Sequence, residues 1–395
     1  MNASTQRWYF LAIITVAQVT LAAIHLGIPI LVPLIQKELG LNLVQVGLLG
    51  SVLNGGVVLA AIGAGRAADH WGERLIIGYG TMLGGLVAIA SNSVSGMYAL
   101  LFLLVFIGVC TASATPAGSK AVAGWFQQHE RGLAMGIRQT SVPLGGTLSA
   151  LALPTLGLAY GWRWALSTVG FLAFATGVVA LRLYQEPPRK VERSRPSSSG
   201  SLAHVMRNKQ IWVATLYAAV LSGAQWCYVS YVELFLTDVV GLQLVLAAGL
   251  LAAGQMCGAG GRIGWGLVSD RLLGGRRQPA MILVGIMAMV IMVITAFFTP
   301  ETPFWLVSVV VALFGLTIMG WNGLYLARVS DVVGTGMAGV AVGLSNTGAF
   351  LGIVVIPPIF GWIVEASDSY RVGWIVLAAT LIVPLCVLHW VKDRS

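Results

Sequence analysis

The sequence predicts an all-α membrane protein in which twelve transmembrane helices form two pseudo-symmetric six-helix bundles. Hydrophobic residues make up 57% of the 395 residues and charged residues only 9%, whereas a soluble domain carries about 25% charged residues. Twelve largely apolar stretches approach or exceed the roughly 20 residues that cross a bilayer. Similar motifs also recur at matching places in the two halves, which indicates a duplicated unit.

The twelve predicted spans are continuous apolar runs, longer than the roughly ten-residue alternating strands of a membrane β-barrel. They lie approximately at 8–36, 43–65, 75–92, 97–124, 133–156, 164–184, 209–237, 244–268, 280–298, 304–328, 337–363 and 373–391. A stretch rich in proline, serine and charge follows span 6 and is typical of a flexible linker. We therefore expect an N-terminal bundle at 1–184, a cytoplasmic linker at 185–208 and a C-terminal bundle at 209–395.

Lysine and arginine are distributed unequally between the two sides of these spans. If both termini lie inside, inner segments hold 17 of the 23 basic residues and outer loops hold three, Lys37, Arg163 and Arg371. Basic loops remain in the cytoplasm, so we expect a multi-pass protein of the bacterial inner-membrane type with both termini cytoplasmic. This topology explains the net charge of +9, and no nucleic-acid partner is expected.

Two pairs of motifs carry the internal repeat. The segments 132–145 and 339–352 are similar and lie 207 residues apart. GRAADHWGER after span 2 and GLVSDRLLGGRR after span 8 share a glycine and an aspartate, each displaced by 201 residues. An acid beside basic residues at the inner face can hold that face closed in one state and release it in another. The candidate gating residues are Gly65, Asp69, Arg74, Gly266, Asp270 and Arg271.

These motifs, the six-plus-six arrangement and the basic central linker together resemble the major facilitator superfamily. The resemblance covers the whole chain and implies two bundles that move around a central cavity. It implies a transporter, and the composition excludes a soluble enzyme. The second gating motif departs from the pattern by one extra residue before its glycines. A membrane receptor built on the same scaffold is the alternative, because a fold does not fix a function.

Three basic residues lie at or near membrane depth. Arg262 is the one charged residue between 242 and 265 and lies roughly 12 Å inside span 8, where an arginine is costly and faces a cavity or a partner. Arg138 in span 5 and Lys120 in span 4 are the others, and Glu233 is the one acid expected inside the membrane. Because surplus positive charge favours an anion, we expect a small organic anion as the ligand, with these three cations as candidates for binding it.

Each cation also has a structural interpretation. Arg262 could cap carbonyl groups at a helix end or brace the inner gate against an aspartate of the gating motifs. Arg138 lies closer to the gating motif in sequence and could belong to the gate. The long side chain of Lys120 could extend its ammonium group to the inner membrane surface. Substrate binding and structural support therefore remain open for all three residues.

The stretch GRIGWGLVSDR is similar to span 8 of monocarboxylate and oxalate/formate carriers in the superfamily. This resemblance implies that Arg262, four residues before Gly266, binds a substrate carboxylate. Gly258 stands where the mammalian-type monocarboxylate carriers have an acid, and span 1 lacks their basic residue. Their proton relay therefore does not transfer to this chain.

Several polar and aromatic residues within the spans suit a partly wet cavity around a small ligand. Helix packing alone is the alternative explanation for them. The candidates for substrate contact are His25, Gln225, Tyr228, Tyr231, Trp321, Asn322 and Tyr325. His25 and Glu233 are candidates for proton coupling, because histidine titrates near neutral pH and a buried acid can exchange a proton.

The sequence predicts a secondary active transporter of a small organic anion, a carboxylate by chemical class, that works by alternating access with proton coupling or anion exchange. We expect a monomer in the lipid bilayer, no cofactor and no metal, and no ATP drive because a P-loop is absent. Proton-coupled drug efflux is the alternative, since VPLGG faintly resembles the antiporter signature GPxxGG. Sugar uptake is less favoured because the spans hold few carboxamides and acids.

Overall fold

The computed structural model describes residues 3–126, 130–186, 206–333 and 338–391. These residues form helices and connecting turns, and none of them lies in a β-strand. Eleven helical stretches of this described part are long and apolar enough to cross a membrane. Span 7 is not one of the eleven and forms instead a 30-residue helix, Lys209–Asp238, most of whose side chains are buried. An interior helix can carry more polar residues than one facing lipid. The predicted all-α membrane fold is confirmed.

Two compact units divide the chain. One comprises Met1–Leu41 with Val52–Arg193, and the other comprises Asn42–Ser51 with Ser194–Ser395. The division falls inside one helix, so the first residues of span 2 belong to the second unit. Most of the predicted linker at 185–208 lies outside the described residues.

The helices of the first half include two predicted spans that are interrupted. Span 4 is divided into α4 and α5, and span 5 into α6 and α7. Within the first unit α1 packs against α7, and α3 packs against α8. The helices are α1 (Ala3–Leu39), α2 (Leu43–Trp71), α3 (Glu73–Ile89), α4 (Met97–Thr111), α5 (Ala114–Trp125), α6 (Arg131–Gln139), α7 (Ser141–Tyr160) and α8 (Trp162–Leu183).

The helices of the second half repeat these packing pairs. The pair α9–α14 corresponds to α1–α7, and α11–α15 corresponds to α3–α8. The repeat seen in the sequence is therefore also a repeat of helix packing. The helices are α9 (Lys209–Asp238), α10 (Leu244–Leu267), α11 (Arg277–Thr295), α12 (Phe304–Ile318), α13 (Asn322–Val333), α14 (Ala338–Ser367), α15 (Tyr370–Thr380) and α16 (Ile382–Trp390).

Spans 4 and 10 are interrupted at equivalent positions. The break in span 4 begins at Ala112 and the break in span 10 begins at Met319, which is 319 − 112 = 207 residues later and matches the offset of the 132–145 repeat. An interrupted helix leaves carbonyl groups without a partner inside the helix. In an apolar environment those carbonyls need donors from elsewhere.

Helices α10 and α12 approach closely along a line of glycines. A Cβ added at Gly315 would lie 2.0 Å from the carbonyl oxygen of Gly254, and one added at Gly261 would lie 2.3 Å from that of Leu316. Small residues allow this backbone contact between membrane helices. The contact brings Arg262, the neighbour of Gly261, to the end of α12.

Candidate functional site

The break in span 10 is the site where the structure places Arg262. Its Nε donates a hydrogen bond to the carbonyl oxygen of Met319 at 3.2 Å, immediately after the last residue of α12. The side chain is partly exposed. Its terminal nitrogens have neither a hydrogen-bond partner nor a carboxylate partner within the described residues. Arg262 therefore caps a helix end with one nitrogen and leaves the others available.

Three predicted residues lie at the same break. Trp321 Nε1 donates to Gln225 Oε1 at 3.2 Å, which joins the break to α9. Asn322 is the first residue of α13 and is partly exposed. A Cβ added at its neighbour Gly323 would lie 3.6 Å from the carbonyl oxygen of Arg262. The structure thus brings Arg262, Trp321, Asn322 and Gln225 together, and we call these four residues the span-10 site.

Tyr325 lies one turn beyond this site and serves packing. It is 1% exposed, and its hydroxyl donates to Ser345 Oγ at 2.6 Å. Ser345 Oγ also lies 2.7 Å from Thr215 Oγ1. This chain of hydroxyl groups ties α13 to α14 and α9, and the Tyr325 hydroxyl is already occupied in the structure.

Arg138 lies beside the equivalent break in the first unit, and protein groups bond both of its terminal nitrogens. Nη1 donates to Gln18 Oε1 at 2.7 Å and to the carbonyl oxygen of Ala114 at 3.4 Å, while Nη2 donates to Ser119 Oγ at 3.1 Å. The side chain is 1% exposed, and a Cβ at Gly118 would lie 2.7 Å from Nη1. The structure therefore uses Arg138 to join α1, α5 and α6.

Lys120 on α5 contacts two residues of the inner loop motif of the first unit. Its Nζ lies 2.6 Å from the carbonyl oxygen of Ala68 and 3.3 Å from Glu73 Oε1. Glu73, the first residue of α3, is 3% exposed, and the sequence analysis did not single out this acid. Its position directly after Gly72 of the gating motif is the sequence feature that could have identified Glu73. Lys120 pairs with this acid and caps the last turn of α2.

The other gating residues of the first unit have different surroundings. Arg74 Nε donates to the carbonyl oxygen of Leu181 at 2.7 Å, in the last turn of α8. A Cβ at Gly65 would make only an ordinary contact of 3.9 Å with Pro116, so close helix approach does not require this glycine. The side chain of Asp69 lies outside the described part of the structure.

The second gating motif has its own pairing. Asp270 pairs with Arg277 through a short hydrogen bond, whereas Arg271 is exposed. The residues Val268–Leu272 form one π-helical turn, and such a turn accommodates one inserted residue in a helix. This turn explains the extra residue in the motif. A Cβ at Gly266 would meet open space, so the expected close helix approach is not found there.

Tyr228 and Tyr231 were expected to line a cavity, and the structure places both in the packed interior. Each is 0% exposed. The Tyr228 hydroxyl donates to the carbonyl oxygen of Val311 at 3.2 Å, and that of Tyr231 lies 2.8 Å and 2.9 Å from the carbonyl oxygens of Leu43 and Pro357. Their hydroxyl groups satisfy backbone carbonyls, which explains their burial without a ligand.

The two coupling candidates lie in different units. His25 on α1 is partly exposed and shares a hydrogen bond with Asn54 on α2. Glu233 on α9 is 1% exposed, and neither carboxyl oxygen has a hydrogen-bond partner among the residues described. The structure does not bring the two residues into one cluster within either unit.

A cavity of about 620 Å³ lies in the first unit and is separate from these residues. Trp71, Tyr79, Leu83 and Cys110 are among the residues that form its wall, and none of its described lining residues carries a charge. An anion needs a positive charge or several donors to replace its hydration. This apolar cavity is therefore unsuited to an organic anion.

Comparisons with known proteins agree with this architecture. The family model described as Major Facilitator Superfamily matches residues 10–357. The chain is 30% identical over 375 residues to an uncharacterised MFS-type transporter of Mycobacterium tuberculosis (strain CDC 1551 / Oshkosh), with 92% of this chain and 81% of the relative covered.

Two further relatives have names that state a substrate. The chain is 24% identical over 393 residues to the probable sulfoacetate transporter SauU of Cupriavidus necator, covering 94% of this chain and 89% of that protein. It is 25% identical over 364 residues to the probable L-galactonate transporter of Escherichia coli K12, covering 87% and 80%.

Among solved structures, a bacterial homolog of the human lysosomal transporter Spinster, inward-facing and unoccupied, superposes with a TM-score of 0.85. The match has 17% sequence identity and covers 97% of this chain and 96% of that one. At this identity the likeness shows a shared fold alone.

Proposed function

The chain belongs to the major facilitator superfamily, and we propose that it is a secondary active transporter that binds a small organic anion at the span-10 site. Membership makes it a multi-pass membrane transporter and not an enzyme. The observation that carries the proposal is Arg262, whose terminal nitrogens have no acidic partner within the described residues. A planar guanidinium matches the two oxygens of a carboxylate with parallel hydrogen bonds.

The relatives support an organic acid as the substrate class. Sulfoacetate and L-galactonate, the compounds named for two of them, are both organic anions. Polar groups beside Arg262 agree with this class, because Asn322 and Gln225 carry amides that can donate to an anion or to its hydroxyl groups.

We further propose alternating access as the mechanism, with proton symport or anion exchange as the driving process. Glu233 is a buried acid without a cationic partner among the described residues, and an uncompensated buried charge is unfavourable. A proton on Glu233 would remove that charge. His25, hydrogen-bonded to Asn54, is the second candidate.

The proposed membrane arrangement follows the distribution of basic residues. Both termini and the 185–208 linker lie on the cytoplasmic side of a bacterial inner membrane, and residues 1–184 and 209–395 form the two bundles. The proposed working state is a monomer. Cysteine labelling from either side of sealed vesicles would test the sidedness of the linker.

Ligand-induced thermal stabilisation is the first test of the substrate class. Ligands that bind the folded protein raise its melting temperature by mass action. Purified wild type and Arg262→Ala are compared with carboxylates, sulfonates, phosphates and lipophilic cations. Stabilisation of wild type alone by an organic anion supports the proposal. Stabilisation by lipophilic cations alone would instead indicate drug efflux and would assign Arg262 a structural role.

Proton coupling is tested separately with Glu233→Gln. The amide is nearly isosteric with the protonated acid, so folding should be preserved. If Glu233 carries the coupled proton, anion uptake into vesicles driven by an imposed pH gradient should be lost while anion exchange at equal pH persists. Unchanged gradient-driven uptake would exclude Glu233 and leave His25 or anion exchange.

A further inference from the structure

Gln255 carries a buried side-chain amide without a hydrogen-bond partner in the described part of the chain. It lies on α10 and is 1% exposed. Neither Oε1 nor Nε2 has a hydrogen-bond partner among the described residues. Two other buried glutamines differ, since Gln18 Oε1 accepts from Arg138 and Gln278 Nε2 donates to the carbonyl oxygen of Leu388. Burying a polar group without a hydrogen-bond partner is unfavourable, so this amide is suited to bind a polar ligand.

Gln255 shares a face of α10 with Arg262. Seven residues separate them, which is nearly two helical turns, so their side chains leave the helix within about 20° of each other and roughly 10 Å apart along its axis. Gln255 lies on the outer side of Arg262 in the proposed topology. A ligand that extends from Arg262 along this face of α10 therefore reaches Gln255.

The guanidinium of Arg262 is displaced toward Gln255. A Cβ added at Gly258 would lie 2.5 Å from Met319 Cβ, so Met319 packs at the level of Gly258, one turn nearer to Gln255. Arg262 Nε donates to the carbonyl oxygen of this same Met319. Side chains on a helix tilt toward its N-terminus, so the Gln255 amide is displaced in the same direction and the two groups stay roughly 10 Å apart. A chain of about six carbon atoms that makes a hydrogen bond at each end spans this distance.

An amide has one accepting and one donating end. Its oxygen needs a donor and its nitrogen needs an acceptor. A hydroxyl group both donates and accepts, whereas a second carboxylate or a sulfonate only accepts and would leave Oε1 unsatisfied. The chemistry of Gln255 therefore favours a ligand with hydroxyl groups at the end distant from its carboxylate.

We propose that Gln255 is a specificity-determining residue that binds hydroxyl groups at the distal end of the transported carboxylate. This inference rests on the proposed function, in which Arg262 binds the carboxylate. The substrate class is then a hydroxylated monocarboxylate. Such a site discriminates against an apolar carboxylate of equal length, because the buried amide would remain unpaired when that ligand binds.

The test compares two anions of equal carbon number, gluconate and hexanoate, by calorimetric titration of the purified full-length protein. Wild type is expected to bind gluconate more tightly than hexanoate. Gln255→Leu should weaken gluconate binding about tenfold and leave hexanoate binding unchanged. The melting temperature of the unliganded variant should stay equal or rise, because an unpaired amide has been removed.

Two controls separate the possible failures. Gln278→Leu removes a buried amide that has partners, so its melting temperature should fall, unlike that of Gln255→Leu. Arg262→Ala should lose both anions. If wild type binds no organic anion, both the proposed function and this inference fail. If Arg262→Ala loses both anions but Gln255→Leu weakens both equally or neither, only the role of Gln255 is overturned.

A second measurement does not depend on the folding of a variant. Wild-type affinity for gluconate is compared with that for hexanoate and for adipate, which has a second carboxylate at its distal end and no hydroxyl groups. The expected order places gluconate first. Equal or tighter binding of hexanoate or adipate would overturn the inference, and Gln255→Met provides a second apolar variant of similar length.

Discussion

Arg138 and Arg262 each donate to a carbonyl group at the break of an interrupted span, one in each unit of the molecule. Around Arg138, the side chains of Gln18 and Ser119 occupy the terminal nitrogens, and the residue is 1% exposed. Around Arg262, one hydrogen bond to Met319 uses Nε and the side chain is partly exposed. The difference shows that protein groups bond the terminal nitrogens of Arg138, whereas those of Arg262 have no hydrogen-bond partner among the described residues.

This comparison also corrects an expectation about charge. From the sequence both arginines contribute to a surplus of positive charge in the membrane. In the structure, the guanidinium of Arg138 is bonded by protein groups, and Lys120 pairs with Glu73. The positive charge available to an anion therefore comes from Arg262 alone among these three cations.

Arg262→Ala should have the largest effect on function. Removing a charge-assisted, bidentate anchor should weaken organic-anion binding by about 100-fold or more. The protein loses one hydrogen bond of its own, so stability should change by only about 1 kcal/mol. Calorimetric titration and thermal melting measure the two effects. A variant that transports normally would end the proposal that Arg262 binds the substrate.

Arg138→Gln should show the opposite pattern. Gln18 Oε1 and Ser119 lose their partner in the interior, and the free energy of unfolding should fall by about 2–3 kcal/mol. Anion affinity, measured at a temperature where the variant is folded, should change only a few-fold. Loss of binding with an unchanged melting temperature would place Arg138 in the binding site and erase the difference between the two arginines.

Arg262→Lys sharpens the comparison further. Lysine keeps the positive charge but presents a compact ammonium in place of a planar fork. Anion affinity should fall about tenfold, less than in Arg262→Ala. Titration with the same anion measures this difference, and wild-type affinity in the lysine variant would indicate that only a point charge is needed.

Gly258→Ala and Gly266→Ala form a matched pair with the smallest expected effect. A Cβ at Gly258 would lie 2.5 Å from Met319 Cβ, whereas one at Gly266 meets open space. We expect Gly258→Ala to destabilise the protein by about 1 kcal/mol, since overpacking exceeds the gain in helix propensity. Gly266→Ala should be neutral or stabilising. Equal melting temperatures for the two variants would argue against tight packing at Met319.

The sequence alone determined the membrane class, the positions of most spans, the internal repeat and the presence of Arg262 at membrane depth. Hydropathy is a sum over local residues, and a duplication preserves spacing, so these features need no knowledge of contacts. Trp321, Asn322 and Gln225 were also identified as site candidates from their polar and aromatic character. The polar and aromatic residues of α9 predict that this helix lines a cavity. The hydroxyl groups of Tyr228 and Tyr231 instead donate hydrogen bonds to backbone carbonyl oxygens in the interior.

Only the tertiary structure decided which cations are occupied and which amide is left unpaired. Occupancy depends on distances between helices that are remote in sequence, such as the 2.7 Å between Arg138 Nη1 and Gln18 Oε1. The carbonyl of Met319 carries no signature in its side chain, and its need for a donor arises from the break in span 10. Gln255 stands in the sequence as one amide in an apolar run, and its proposed role rests on the lack of a hydrogen-bond partner among the described residues, which the sequence does not show.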